Sequence, residues 1–167
     1  MTTLTDALSL TSGTTLKNRF VLAPMTNCQS HADGRLSDDE YRWLVKRAEG
    51  GFALTMTCAA TVQREGLGFP GQLGVYSDDH VEGRSRLAAG IKAHGSHAVV
   101  QLHHAGMRSP VNLTGRAAQC PSDDVTTGAQ AMTRDEVKHS IEAFIDAARR
   151  CERAGFDGVE LHGAHGY

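Results

Sequence analysis

Charge of one sign is missing from this sequence: 17 basic side chains face 19 acidic ones over 167 residues. Nothing therefore argues for a polyanionic partner such as nucleic acid, or for charge-driven disorder. Long apolar runs are missing too; none approaches the roughly 18 residues of a spanning helix. The opening Met1-Thr2-Thr3-Leu4-Thr5-Asp6 has no basic stretch followed by an apolar one. Neither a membrane nor a nucleic acid is an expected partner, and a cytoplasmic location is expected. Cys28, Cys58, Cys120 and Cys151 never come near Cys-x-x-Cys spacing, so neither a disulfide framework nor a zinc or iron–sulfur cluster is indicated.

What the sequence does carry is an alternation of strand-length apolar runs with segments of helical period. Residues 18–24 read as a first strand closed by Pro24, which has no N–H to give a ladder. Ahead of it, short runs at 8–10 and 14–16 flank Ser12-Gly13 and predict a hairpin. Ser37-Asp38-Asp39-Glu40 has the form of a capping box, opening a helix with Tyr41, Leu44, Val45 and Ala48 on one face and Gly50-Gly51 at its end. A second run, 52–58, precedes a helix over 81–94 with Leu87, Ala88 and Ile91 facing inward. A third, 98–102, is followed late by a second capping box, Thr133-Arg134-Asp135-Glu136, and a helix with Val137, Ile141, Phe144, Ile145 and Ala148 on its core face. Residues 157–162 are a fourth strand. The pattern predicts one α/β domain over residues 1–167, with parallel strands buried on both faces.

The connections are asymmetric. Those from helix to strand are tight, at Gly50-Gly51, Gly95-Ser96 and Gly155-Phe156, whereas those from strand to helix, 61–80 and 103–132, are long. Long connections inside a compact domain are usually functional, and both follow carboxyl ends of strands, where barrel and doubly wound enzymes build their sites. The residues there are Pro24, Met25, Thr26, Asn27 and Cys28, then Ala59, Ala60 and Thr61, then Gln101, His103, His104 and Arg108, then His162, His165 and Tyr167. They include no nucleophile–base pair and no close pair of carboxylates, and alternation leaves the direction of Glu160 open. Such donors, acceptors and small residues suit binding a planar, polar ring better than hydrolysing a bond. His31, His80, His94 and His139 read as surface or loop residues.

Asn18-Arg19-Phe20-Val21-Leu22-Ala23-Pro24-Met25-Thr26, Gln101-Leu102-His103-His104-Ala105-Gly106 and His162-Gly163-Ala164-His165-Gly166-Tyr167 resemble three successive motifs of the old yellow enzyme family of flavin-dependent ene-reductases. The resemblance implies a (β/α)8 TIM barrel holding FMN at its carboxyl-end mouth. This chain would supply an N-terminal hairpin and strands one to four with three helices, a half-barrel. Ala23, Pro24, Met25 and Thr26 resemble the segment along the flavin ring, with Thr26 at the position that bonds the carbonyl near N5. Some relatives carry a cysteine there. Ala59 resembles the small residue that lets backbone approach the ring, and Gln101 the amide that reads its pyrimidine edge. His162 and His165 resemble the donor pair for the acceptor's carbonyl or nitro oxygen, where charge grows in the transition state; His162 also lies at the cofactor. Tyr167 resembles the proton donor to the α-carbon. NAD(P)H as reductant and a small activated alkene as acceptor follow from the same resemblance.

Two other readings compete. His103, His104, His162 and His165 are the residue type of a metal-dependent barrel hydrolase, although no His-x-His follows the first strand and no carboxylate accompanies them. A non-catalytic half-barrel serving as an assembly subunit is the second. A (β/α) barrel takes about 250 residues, and the family's phosphate site and the basic residue near flavin N1 come from later strands. The expectation is therefore a second polypeptide carrying strands five to eight, from a split or cleaved chain, which the open sheet edges would receive. Zinc content and visible absorption separate the flavin and metal readings: protein purified together with strands five to eight is expected to be yellow and without stoichiometric zinc, and colourless, zinc-loaded protein would refute the flavin reading.

Overall fold

The structure, a computed structural model, describes residues 2–167. β1 (Leu8–Ser9) and β2 (Thr15–Leu16) pair antiparallel as the expected hairpin. Then come β3 (Val21–Leu22), α1 (Asp38–Glu49), β4 (Leu54–Thr61), α2 (Val81–Lys92), β5 (His97–His103), a one-turn α3 (Val111–Thr114), the short pair β6 (Gln119–Cys120) and β7 (Gln130–Ala131), α4 (Arg134–Arg153) and β8 (Gly158–Leu161). β3, β4, β5 and β8 form a four-stranded parallel sheet in that spatial order. Among the described residues no helix is long and apolar enough to cross a membrane.

Two strands differ from their expected spans. Only Val21 and Leu22 of the first run enter the ladder, opposite Leu54 and Thr55; beyond them the chain reaches Pro24, which lacks an N–H. β4 extends to Thr61, so Ala59, Ala60 and Thr61 lie inside it, past a register shift between Met56 and Ala59. The sheet is not buried on both faces as expected. Helices cover one face, where Thr55, Ala98, Val100 and Leu102 are wholly buried, while Leu54, Met56, Val99 and Glu160 on the other face are only half-buried. β8 departs further: its helix-side residues Val159 and Leu161, neighbours of Val100 and Leu102, are 37% and 65% exposed. α4 touches β8 but leaves these two side chains largely uncovered.

α4 is turned relative to the expectation from its sequence. Thr133 and Glu136 do form the reciprocal capping box. Its buried residues, however, are Ala147 and Cys151, with Ala143, Phe144 and Ala148 packed beside them, because small side chains let the helix approach the sheet closely. Val137, Ile141 and Ile145, expected in the core, are 42%, 56% and 46% exposed. They form a second apolar stripe beside the uncovered edge of β8.

The other capping box is only half made. Ser37 accepts from the Glu40 backbone N–H, but the Glu40 carboxylate turns inward, fully buried. There it accepts from Asn27 Nδ2 at 3.2 Å, the Cys58 thiol at 2.9 Å and the Ser30 hydroxyl. Arg84 of α2 is also buried, its guanidinium without a direct hydrogen-bond partner among the described residues. Burial holds its pKa below the usual range, opposed by Cys151, Glu40, Cys58 and Tyr76 around it. A buried carboxylate and a buried guanidinium thus offset each other's charge across the layer between sheet and helices. His80, expected at the surface, is 4% exposed, with Nε2 bonded to the Asp33 carbonyl at 3.0 Å.

Removing the carboxylate strands three donors and leaves Arg84 without its counter-charge. Glu40→Ala is expected to cost about 3–5 kcal/mol in denaturant unfolding of the protein containing this chain, and Glu40→Gln distinctly less. Equal losses for both would show that the charge contributes nothing.

Candidate active site

The parallel register brings the strand ends together. Ala59 pairs with Gln101 and Thr61 with His103; Gln101 pairs with Glu160, which places Glu160 on Gln101's face. The His162 N–H donates to the Leu102 carbonyl at 3.0 Å, one step beyond β8. At these ends lies a cavity of about 280 Å³ lined by Pro24, Thr26, Ala59, Gln101, His162, His165 and Tyr167, all expected site residues, together with Phe69 and His103. Ala23 and Met25 do not line it, and both are exposed.

Each wall is held from behind. The segment after Thr26 is tied down at Asn27 and Ser30 by Glu40, and the Ser30 N–H donates to the Gly71 carbonyl at 3.0 Å. Gly71 has φ +68°, and a Cβ there would lie 2.5 Å from the Cys28 carbonyl oxygen, so this crossing requires glycine. Gln72, 1% exposed, joins three elements. Its Oε1 accepts from the Gly68 N–H at 2.7 Å, and its Nε2 lies 3.1 Å from both the Ala59 carbonyl and His103 Nδ1. The long connection after β4 is therefore a packed wall, with Leu73 and Val75 wholly buried.

Gln101 is 5% exposed, yet its side-chain amide makes no hydrogen bond among the described residues. Because the residue lines the cavity, its amide can offer one donor and one acceptor to a ligand edge. His162 Nε2 and His165 Nδ1 lie 3.1 Å apart, so one donates to the other and the neutral pair keeps a single ring N–H free. Two donors to one substrate oxygen therefore require this contact to open. His165 sits at φ +64°, an uncommon conformation for a residue with a Cβ. The Tyr167 ring stands edge-on to His103, with centroids 4.7 Å apart, and the Arg108 guanidinium lies 5.6 Å from its centroid. Gly106, at φ +52°, passes under Tyr167, where a Cβ would lie 2.8 Å from the tyrosine's carbonyl carbon.

Of the four histidines of the metal reading, His103, His162 and His165 line the cavity and His104 turns away from it. His104 Nδ1 accepts from the Gly106 N–H at 3.0 Å, and its ring packs against Gly66. Among the described residues no three His, Cys, Asp or Glu side chains are grouped to hold a metal ion.

Residues 7–167 match the model of the NADH:flavin oxidoreductase / NADH oxidase family. The chain belongs to that family. The resemblance carried by its three motifs is thereby borne out. It is 39% identical over 168 residues to a probable NADH-dependent flavin oxidoreductase of Bacillus subtilis, covering 98% of this chain and 45% of that protein. It is 40% identical over 157 residues to an NADPH dehydrogenase of Bacillus pumilus, covering 93% and 46%. Its fold matches an old yellow enzyme homologue from Zymomonas mobilis with a TM-score of 0.91 at 29% identity, over 99% of this chain and 50% of that one. The chain thus spans about half the length of these relatives.

Phe69, Gln72 and Glu40 were not identified from sequence, whereas His103, named there among the strand-end residues, does line the cavity. The unusual length of the connection after β4 was the signal for the first two. For Glu40 the sequence offered only a helix cap.

Burial, and then the charges of His162, His104 and His165, hold the His103 pKa down from 6.5 to about 4. The unfolded chain then binds a proton that the folded one refuses, so stability is fully present above 6.5 and is lost as pH falls towards 4. Urea unfolding across this range is expected to show that decline and His103→Gln to flatten it, leaving the smaller contributions of His80 and His104, whose pKa values burial also lowers. An unchanged slope in the variant would contradict the assignment.

Proposed function

We propose that this chain forms the ring-binding and substrate-facing half of an FMN-dependent ene-reductase that draws electrons from NAD(P)H and reduces an activated carbon–carbon double bond. The observation that carries the reading is that Gln101, with no side-chain hydrogen bond to another described residue, lines one cavity with Thr26, Ala59 and the His162–His165–Tyr167 cluster. The residues fit a flavin ring. Gln101 offers a matched donor and acceptor, Thr26 a hydroxyl, and Ala59 and Pro24 low-profile walls, while His162 stands at the border with the acceptor site. When bound there, FMN supplies the hydride.

The chain's own side chains then do two things. The ring N–H of the histidine pair donates to the acceptor's carbonyl or nitro oxygen, and rotation of one ring away from its neighbour frees a second donor as charge grows on that oxygen. The Tyr167 hydroxyl donates a proton to the α-carbon, since a phenol is acidic enough to protonate a carbanion-like centre yet stays neutral at rest.

The same proposal includes a (β/α)8 barrel whose remaining strands come from a further segment or polypeptide. The edge strand β8, the exposed Val159 and Leu161, and the stripe Val137, Ile141 and Ile145 on α4 support it, since further strands and a helix would bury them. The phosphate of FMN would be held by that other half.

Tyr167→Phe is expected to lower the rate of cyclohexenone reduction on the order of a hundredfold or more, with reduction of the flavin by NAD(P)H retained. Equal loss of both half-reactions would deny Tyr167 its proton-donor role. Residues 1–167 expressed alone are expected to bind FMN weakly, and a folded, yellow monomer turning over enones would remove the need for another half.

A further inference from the structure

We propose that Gln72 is a positioning residue that locks His103 in the tautomer protonated at Nε2, making it a neutral hydrogen-bond donor to a carbonyl oxygen of the molecule held in the cavity. The inference rests on reading the cavity as a substrate site, and it adds to that site a donor outside the His162–His165 pair.

The orientation of the Gln72 amide follows from its neighbours. Oε1 is 2.7 Å from a backbone N–H, that of Gly68, and Nε2 is 3.1 Å from a backbone carbonyl, that of Ala59. A flipped amide would set donor against donor and acceptor against acceptor in a site 1% exposed. With the orientation settled, one Nε2 hydrogen goes to Ala59 and the other points at His103 Nδ1, 3.1 Å away. Gln72 has no acceptor left to offer, so Nδ1 must be the bare nitrogen of the ring. The proton of neutral His103 is therefore on Nε2, and that atom has no hydrogen-bond partner among the described residues although the ring lines the cavity.

The surroundings keep the ring neutral. His162 lies beside it with centroids 5.4 Å apart, Tyr167 presents an edge, His104 is next along the chain and His165 is the further histidine in range. Arg108 stands near the Tyr167 ring, and no carboxylate contributes to the environment that sets the His103 pKa. A neutral donor that does not gain charge near pH 7 suits a carbonyl oxygen rather than an anion. Placed beside the His162–His165 pair, it reads a second acceptor atom or shares the first, and so helps to decide which substrates bind.

The test uses the assembled, flavin-loaded protein with isotope-labelled histidine, followed by long-range proton–nitrogen correlation. His103 is assigned by its loss in His103→Asn, or by contacts with the Tyr167 ring if that variant does not fold. The expected result is a neutral ring protonated at Nε2, and an Nε2 resonance that shifts when cyclohexanone, a carbonyl probe without a reducible double bond, is titrated in. A ring protonated at Nδ1, or an Nε2 resonance that does not move with cyclohexanone, overturns the proposal. Gln72→Glu offers only acceptors and is expected to draw the proton to Nδ1, raising KM for cyclohexenone roughly tenfold with a smaller change in kcat. A proton that stays on Nε2 in this variant denies Gln72 its role. If cyclohexanone shifts His103 but the protein does not reduce enones, the ene-reductase reading fails while this inference stands.

Discussion

The parallel ladder between β4 and β5 is the constraint on which the rest depends. Its register, with the shift between Met56 and Ala59, sets Ala59 opposite Gln101 and Thr61 opposite His103. β8 then adds Glu160 beside Gln101 and carries His162 to the same end. Because side chains alternate along a strand, slipping this ladder by one residue would turn Gln101 under the helices and Leu102 into the cavity. The wholly buried Val100 and Leu102 on the helix side oppose such a slip, so hydrophobic burial on one face determines which polar groups meet on the other.

Behind the cavity stand two buried polar groups of different kinds. Glu40 gathers the segment following Thr26 and the thiol of Cys58, and Gln72 gathers Gly68, Ala59 and His103. Each joins backbone or side chains from elements distant in sequence, and each is satisfied by at least three partners, the condition under which a buried polar group rigidifies a site instead of weakening it. Arg84 lies among the same layers without a direct partner among the described residues, its burial opposed by Cys151, Glu40, Cys58 and Tyr76 around it. The resulting walls rest on groups that never touch a ligand.

Much of this was legible in local pattern. The hairpin, the order of four strands and three long helices, the Thr133 cap and the inward Leu87, Ala88 and Ile91 emerge from periodicity and turn chemistry, because those signals are local. The three motifs named the family and most of the cavity's lining. The orientation of α4 was not legible. Its sequence carries two apolar stripes, Ala143-Ala147-Cys151 and Val137-Ile141-Ile145, and the bulkier one looks like the core face although the small residues are what the sheet accepts. His80 was misjudged for the same reason: polarity predicts exposure until a specific tertiary partner makes burial tolerable.

By itself the sequence determined the fold class, the end of the sheet that carries the chemistry, the family, and the identity of Thr26, Ala59, Gln101, His162, His165 and Tyr167 as one set, since each follows from residue type and order along the chain. Only the tertiary structure decided which of those residues face one another. It joined His162 to His165, turned Glu40 from a helix cap into a buried hub, and placed Gln72 against His103. Hydrogen bonds are directional and reach only about 3 Å, so partners 31 residues apart, as Gln72 and His103 are, can be recognised only once packing has brought them together.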